Sequence, residues 1–158
     1  MTSEHLLHTI PPIYDGNSKI LILGSFPSVK SREVSFYYGH PQNRFWRVLA
    51  AVLGCAVPSS NEEKTALLQS HNIALWDVIK SCDIVGSSDS SIKNVVPNDI
   101  GVILSSCGIR QIYSNGKTSE KLFNKYIKDT VGRDTVALPS TSPANASYNL
   151  ERLTDSWS

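Results

Sequence analysis

Lys19-Ile20-Leu21-Ile22-Leu23-Gly24-Ser25-Phe26-Pro27-Ser28 is the stretch that decides the fold of this 158-residue chain. Its first half contains a continuous apolar run without polar alternation, which is typical of a strand covered on both faces in a parallel sheet. Gly24 permits a sharp turn and a close approach of a ligand to the main chain, and Pro27 fixes the path that follows. Functional loops lie at the carboxyl ends of parallel strands, so we expect a binding site in the loop that begins at Gly24.

A second informative stretch, Tyr37-Tyr38-Gly39-His40-Pro41-Gln42-Asn43-Arg44-Phe45-Trp46, follows shortly. Two adjacent aromatic residues stand in a segment whose Gly and Pro oppose regular structure, so at least one ring is expected to face a cleft, where it can stack on a base. Packing under a loop is the alternative for both rings. Asn43 stands at the edge of a helix predicted over 44–53 from the spacing of its apolar residues. Asn is also a preferred N-cap, so capping and chemistry are both open for Asn43.

Helix-like and strand-like segments alternate along the rest of the chain. The predicted helices cover 61–71, 98–107, 116–128 and 147–157, and the predicted strands cover 73–76, 111–114 and 135–138. That alternation indicates an α/β fold with a parallel sheet. Asn61 is a candidate N-cap, and the Ser/Asp-rich segment 86–91 is predicted to be a surface loop.

Length and composition favour one enzyme domain over residues 1–158, because this length can bury a substantial core. Residues 1–17 lack the basic start and apolar centre of a secretion signal, and no apolar run reaches membrane-spanning length. We therefore expect a cytoplasmic protein without a membrane partner. Three widely spaced cysteines and four scattered histidines suggest neither a disulfide framework nor a metal cluster, so no metal or other cofactor is expected.

A net charge of +1 gives weak support for nucleic-acid binding. Charge would have to act locally, and four basic residues, with only Glu33 opposing them, are candidates for a basic rim around the predicted site. They are Lys30, Arg32, Arg44 and Arg47. A solvated surface is the alternative for each of them.

The two stretches above and a third, Leu138-Pro139-Ser140-Thr141-Ser142-Pro143-Ala144-Asn145, resemble the uracil-DNA glycosylase superfamily, and within it the hypoxanthine-DNA (deoxyinosine) glycosylase branch. The resemblance extends over nearly the whole chain. It implies a three-layer α/β/α fold with a central, mainly parallel four-stranded sheet. It also implies a monofunctional DNA N-glycosylase that flips hypoxanthine out of DNA and leaves an abasic site. The implied partner is DNA with a deaminated base, and an abasic-site endonuclease that acts next is a further candidate partner.

The resemblance also implies roles for individual residues. Mismatch-specific uracil and thymine glycosylases carry Asn where this chain has Phe26, and no carboxylate occurs between Gly24 and Glu33. The catalytic role therefore passes to Asn43. The implied base pocket consists of Gly24, Ser25, Phe26, Pro27, Tyr38 and His40. The implied DNA contacts are Ser28, Lys30, Ser31, Arg44, Ser140, Thr141, Ser142, Pro143 and Asn145, with Asp89 as a lesser candidate.

Several alternatives stay open at this point. Asn43 could position a water or hydrogen-bond the base, and Asn145 could be a second amide at the cleft or the cap of the last helix. Selectivity against adenine would follow if the Asn43 amide, or a main-chain pair, accepted from N1–H and donated to O6. Other functions in view are a uracil or thymine mismatch glycosylase, a nucleotide hydrolase that does not act on DNA, and a catalytically silent DNA-binding module. The chain lacks the G-x-x-x-x-G-K-[ST], G-x-G-x-x-G and G-x-S-x-G motifs of the common nucleotide-binding and hydrolase sites, which opposes the second.

Overall fold

A computed structural model describes residues 3–158, which form two sheets and seven α-helices. The strands are β1 (Glu4–Leu7), β2 (Ile20–Gly24), β3 (Ile73–Asp77), β4 (Ile79–Ile84), β5 (Lys93–Pro97), β6 (Gln111–Asn115) and β7 (Val136–Leu138). The α-helices are α1 (Val29–Val34), α2 (Phe45–Leu53), α3 (Asn61–Ser70), α4 (Gly101–Ser106), α5 (Lys117–Tyr126), α6 (Lys128–Val131) and α7 (Leu150–Trp157), and Asp89–Ser91 form a short 3-10 helix.

The central sheet has four parallel strands in the order β3-β2-β6-β7, which confirms the predicted fold class. Successive residues of β2 point to opposite faces of this sheet. Ile22 packs with Phe45 of α2 on one face, while Leu21 packs with Phe123 of α5 on the other. Because both faces of β2 are covered by helices, the strand carries an unbroken apolar sequence.

A second sheet, with antiparallel order β1-β4-β5, was not predicted from the sequence. Strand β4 begins two residues after β3 ends, with only Val78 between them. Asn98, which is buried, holds this junction by donating from its side-chain amide to the carbonyls of Asp77 (2.9 Å) and Ile79 (3.1 Å). Strands β1 and β5 are largely exposed, and β4, although mostly buried, contains Lys80 and Asp83, so these strands lack the apolar pattern by which a strand is recognised.

Several predicted helix boundaries were wrong, mainly because of caps. Helix α3 is capped by Ser60, whose hydroxyl accepts from the Glu63 amide, rather than by Asn61. Helix α7 begins at Leu150 and is capped by Asn149, not by Asn145. The predicted helix 116–128 divides into α5 and α6, and the predicted helix 98–107 is limited to Gly101–Ser106. For α3 and α7, the capping residue is chosen among neighbouring Ser and Asn residues, which the spacing of apolar residues does not indicate, whereas α4, α5 and α6 begin without a side-chain cap.

Within residues 3–158, no helix is both long and apolar enough to cross a membrane.

Candidate active site

A cavity of about 500 Å³ opens at the carboxyl ends of the parallel strands, a volume within the usual range for small-ligand sites. Four loop segments line it, residues 24–28, 37–43, 87–90 and 140–144, together with the strand-end residues Asp77 and Asn115. The structure thus brings the six predicted base-pocket residues together with Asn43 and most of the predicted DNA-contacting residues. Of the latter, Lys30, Arg44 and Asn145 do not line the cavity.

Asn43 lies at this cavity with its side-chain amide fixed on one side. The Asn43 Oδ1 atom accepts from the backbone N–H of Phe45 (2.9 Å) and from the hydroxyl of Thr141 (2.9 Å). A backbone N–H can only donate, so the atom that faces it must be the amide oxygen. Asn43, one residue before the N-cap Arg44, therefore satisfies the first N–H of α2 and keeps its Nδ2 group, which has no protein partner within residues 3–158, as a donor for a ligand.

Asn115, at the end of β6, extends this hydrogen-bond network and was missed by the sequence analysis. Its Nδ2 donates to the Thr141 hydroxyl (3.0 Å), and its Oδ1 accepts from the Thr141 backbone N–H (3.1 Å). Thr141 is 0% exposed, so its side chain serves this network and does not reach the surface. The sequence signal for Asn115 is its place directly after the predicted strand 111–114, where a parallel strand meets its functional loops.

Tyr38 forms an aromatic wall of the cavity in an unusual backbone conformation. Its φ of 53° is left-handed, which a bulky residue rarely adopts. The Gly39 amide, which donates to the Ser31 hydroxyl (2.9 Å), and stacking on Phe45 at 4.1 Å hold it there. Tyr37, in contrast, is 2% exposed and donates to backbone carbonyls, including that of Pro11 at 2.9 Å. Both residues contribute to the cavity lining, but Tyr37 is held in the core, whereas Tyr38 provides the aromatic wall.

A buried His8–Asp77 pair also reaches this site, and the sequence analysis missed it. His8 Nε2 and Asp77 Oδ2 are 2.7 Å apart, and their side chains are only 2% and 5% exposed. Asp77 is the partner of Gly24 in the parallel register of β2 and β3, so the carboxylate stands beside the start of the first loop. The residues that follow Gly24 in sequence contain no carboxylate before Glu33, whereas the Asp77 carboxylate comes from the neighbouring strand.

Gly24 allows that carboxylate to approach. A Cβ atom at Gly24 would overlap an oxygen of Asp77 and would lie 3.0 Å from the Tyr38 hydroxyl. The Asp77 carboxylate and the Tyr38 hydroxyl therefore both approach the place where a side chain at residue 24 would begin, and only glycine leaves that place empty.

Arg44 holds the 140–148 loop. Its guanidinium group donates to the carbonyls of Ser142 (2.7 Å), Asn145 (3.2 Å) and Tyr148. Burial lowers the pKa of Arg44, with the Arg47 charge as a smaller cause. Because its donors are committed to the loop, Arg44 acts on the site by positioning that loop.

Arg44→Met is expected to lower the free energy of unfolding by about 2–3 kcal/mol, since charged hydrogen bonds to several carbonyls are lost together. Urea unfolding measures this value. Arg47→Met, an exposed arginine one turn along α2, is the matched control and should change stability by less than about 0.5 kcal/mol. Equal unfolding midpoints for Arg44→Met and wild type would show that the loop does not depend on Arg44.

The remaining predicted residues divide between interior and surface. Ser28 caps α1 by accepting from the Ser31 amide (3.1 Å), and Ser31 itself is 2% exposed. Asn145 donates to the Ser140 carbonyl (3.0 Å) inside its loop. Lys30 is exposed beside Glu33, with 3.7 Å between their charged groups, and remains free to meet a phosphate.

The described geometry is that of a three-layer α/β protein. Its amide-lined pocket is formed by loops that meet at the carboxyl ends of the parallel strands. A family model described as the uracil DNA glycosylase superfamily matches residues 11–157, and the chain belongs to this superfamily. The chain is 36% identical over 137 residues to a hypoxanthine DNA glycosylase of Methanosarcina barkeri, with 85% of each chain covered. It is 35% identical over 144 residues to a hypoxanthine DNA glycosylase of Methanosarcina acetivorans, with 90% of each covered.

A solved structure gives the same assignment. The solution NMR structure of a candidate uracil DNA glycosylase from Methanosarcina acetivorans superposes with a TM-score of 0.79 at 34% identity, covering 92% of this chain and 91% of that one. The resemblance stated from the three sequence motifs is therefore confirmed at the level of superfamily and fold.

Proposed function

We propose that this protein is a monofunctional DNA N-glycosylase that releases hypoxanthine from deaminated DNA and leaves an abasic site. Superfamily membership and the two relatives named hypoxanthine DNA glycosylase support this function. The single observation that carries it is the Asn43 amide, fixed through its oxygen and presenting a free Nδ2 donor to a cavity of base-binding size.

The flipped base enters between aromatic side chains. A base inside a duplex is out of reach, so the enzyme extrudes it at a cost of about a few kcal/mol, which is least for a mispaired base such as hypoxanthine opposite thymine. Phe26 and Tyr38 supply the walls of the pocket. Arg32 stands over the Phe26 ring at 5.6 Å and donates to the carbonyls of Pro27 and Gly86, so it steadies the first wall.

Asn43 acts as a hydrogen-bond donor to the departing purine. Cleavage of the N-glycosidic bond leaves negative charge on the base, and a donor fixed in advance stabilises that charge. The Asn43 oxygen is already occupied by two donors, so it is not free to accept from an attacking water. Of the two roles left open by the sequence, the geometry therefore favours contact with the base over positioning of water.

The DNA backbone is held by the loops around the cavity. Ser140, Ser142 and Pro143 line the mouth of the cavity in the loop that Arg44 fixes. Hydroxyl and backbone N–H groups contact phosphates without requiring a high net charge. The abasic product is the substrate class of abasic-site endonucleases, which would act next, and the enzyme works in the cell compartment that holds the DNA.

Lys30 and Arg47 are the basic residues near the site whose charges remain exposed. Replacing both with Ala should weaken duplex binding similarly for damaged and undamaged DNA and reduce the salt slope of log Kd by about 2. Lys19→Ala with Arg110→Ala removes the same charge at the opposite edge of the sheet, just before β2 and β6, and serves as the control. An unchanged salt slope in the first double variant would exclude these residues from the phosphate contacts.

The experiment that tests the proposed function identifies the released base. Duplexes that contain hypoxanthine opposite thymine, uracil opposite guanine, or thymine opposite guanine are incubated with the protein, and the free bases are identified by chromatography. Release of hypoxanthine supports the proposal. Release of uracil or thymine alone would define a mismatch-pyrimidine glycosylase, and binding without any release would define a silent DNA-binding module.

A further inference from the structure

The proposed function requires an acceptor that Asn43 does not provide. Hypoxanthine presents an N1–H donor next to its O6 acceptor, whereas adenine presents an unprotonated N1 next to an amino group. The sequence analysis gave the acceptor to the Asn43 amide or to the main chain, but the Asn43 oxygen is already engaged by Phe45 and Thr141. The acceptor for N1–H must therefore be a main-chain carbonyl or another side chain at the cavity.

We propose that the carboxylate of Asp77, held in place by His8, accepts a hydrogen bond from N1–H of the flipped base and so selects bases with a ring –NH–C=O group. This inference rests on the proposed glycosylase function and assigns its specificity. The mechanism proposed above gives the His8–Asp77 pair no role.

The geometry of the pair leaves one carboxylate oxygen available. Asp77 Oδ2 is 2.7 Å from His8 Nε2, while Asp77 Oδ1 makes no hydrogen bond to any group in the described part of the chain. Oδ1 is the oxygen that a Cβ on Gly24 would overlap, so it stands at the entry to the first loop. The carboxylate lines the cavity, and Oδ1 is not among the fully buried unpartnered atoms of the described residues, so it is open to a donor that enters the cavity. The N1–H of a flipped base is such a donor.

Tyr38 supplies a donor beside this acceptor. Its hydroxyl is buried without a hydrogen-bond partner among residues 3–158, and it converges with Asp77 Oδ1 on the same position over Gly24. Burial raises the pKa of Tyr38 far above its usual range, and the nearby Asp77 charge raises it further, so the hydroxyl stays protonated. An acceptor and a donor side by side match the N1–H and O6 of hypoxanthine.

His8 is the positioning residue of this arrangement. Its ring reaches the pair from the segment after β1, and its edge is also packed against Phe26, with 6.0 Å between ring centroids. The imidazole fixes Oδ2 and thereby sets the direction of Oδ1. Replacement of His8 should misdirect the carboxylate without removing it.

Selectivity follows from the acceptor-only character of a carboxylate. Adenine would place a lone pair at N1 against the Asp77 oxygen, while its amino group could still donate to the Tyr38 hydroxyl oxygen, so the discrimination rests on Asp77. An unmatched buried polar pair costs about 10- to 100-fold in rate or affinity. Replacing Asp77 should therefore change the preference for hypoxanthine over adenine more than it changes the stability of the protein.

The test compares single-turnover base release from duplexes with hypoxanthine, xanthine or adenine at the same position. For Asp77→Asn, hypoxanthine release should fall about 10- to 100-fold and adenine release should not fall. The ratio of the hypoxanthine rate to the adenine rate should therefore decrease by the same factor. Asp83→Asn is the matched control, since Asp83 makes a similar contact with His5 (2.8 Å) on the exposed second sheet, and its ratio should equal that of wild type. An unchanged ratio in folded Asp77→Asn would overturn the proposal.

His8 variants and a modified substrate cover the case in which Asp77→Asn does not fold. His8→Phe should lower hypoxanthine release, and His8→Gln, which retains a donor for Asp77, should restore most of it. Wild type should release 1-methylhypoxanthine at least about 10-fold more slowly than hypoxanthine, because N1 then has no hydrogen to donate. Equal release of the two bases would overturn the role of Asp77. Failure of wild type to release hypoxanthine at all would instead refute the proposed function.

Discussion

Asn43→Asp should reduce single-turnover hypoxanthine release by about 100- to 1,000-fold, the usual effect of removing one fixed donor from a site of developing negative charge. The substitution retains an oxygen for the Phe45 amide and the Thr141 hydroxyl, so the contacts that hold residue 43 are preserved. It removes only the Nδ2 donor and places a carboxylate where the departing base gains charge. The variant therefore separates chemistry from capping.

The folded state of this variant should be as stable as that of wild type. An Asp oxygen can accept from the Phe45 amide as the Asn oxygen does, and its charge is favourable at the start of α2. Asn43→Ala, by comparison, should lose activity and also about 1 kcal/mol of stability, because the cap is lost. Urea unfolding and duplex binding are measured alongside base release.

Asn124→Asp makes the same chemical change at an exposed position of α5 and should leave base release unchanged. Release by Asn43→Asp at the wild-type rate would contradict the donor role. If Asn43→Asp is partly unfolded, base release is divided by the folded fraction measured in the unfolding experiment. The same deficit of about 100- to 1,000-fold is expected per folded molecule.

Gly24→Ala should lower base release by at least about 100-fold, since a misplacement near 1 Å at a reacting site has effects of this size. The new methyl group overlaps an oxygen of Asp77 and crowds the Tyr38 hydroxyl, so both groups must move away from the cavity. The same crowding should reduce the free energy of unfolding by about 1–3 kcal/mol. Single-turnover release and urea unfolding measure the two effects.

Gly16→Ala is the matched control, because no atom lies within 4 Å of its Cβ position and its φ is not left-handed. It should match wild type in release and unfold within about 0.5 kcal/mol of it. A Gly24→Ala protein with wild-type activity would show that Asp77 and Tyr38 do not need their present positions.

The central sheet could be predicted because its apolar strands alternate with amphipathic helices along the chain. Strand β2 and helix α2 carry patterns that few other structures explain. The predicted strand 19–23 and helix 44–53 differ from Ile20–Gly24 and Phe45–Leu53 by at most one residue at each end. The second sheet could not be predicted, because Ile79–Ile84 contains Lys80 and Asp83 and pairs on one side with β1, near the start of the chain. Such pairing is decided by tertiary contacts, which local sequence patterns do not encode.

Parts of the candidate site were likewise predictable from the sequence, and parts were not. Loops that follow strand ends were predicted from sequence and do meet in one cavity. His8 and Asp77 were missed because each has an ordinary local setting, and their 2.7 Å contact depends on two segments 69 residues apart. The engagement of Arg44 with loop carbonyls was also beyond sequence analysis, since an arginine near a predicted DNA site is most simply assigned to phosphates.

The measurement that tests the central claim most directly is single-turnover base release by wild-type protein from otherwise identical duplexes carrying one hypoxanthine, uracil or adenine. The account predicts rapid release of hypoxanthine, with an abasic site cleaved by alkali, and release of adenine slower by at least about 10- to 100-fold. Release of uracil in preference to hypoxanthine, or of no base at all, would contradict it.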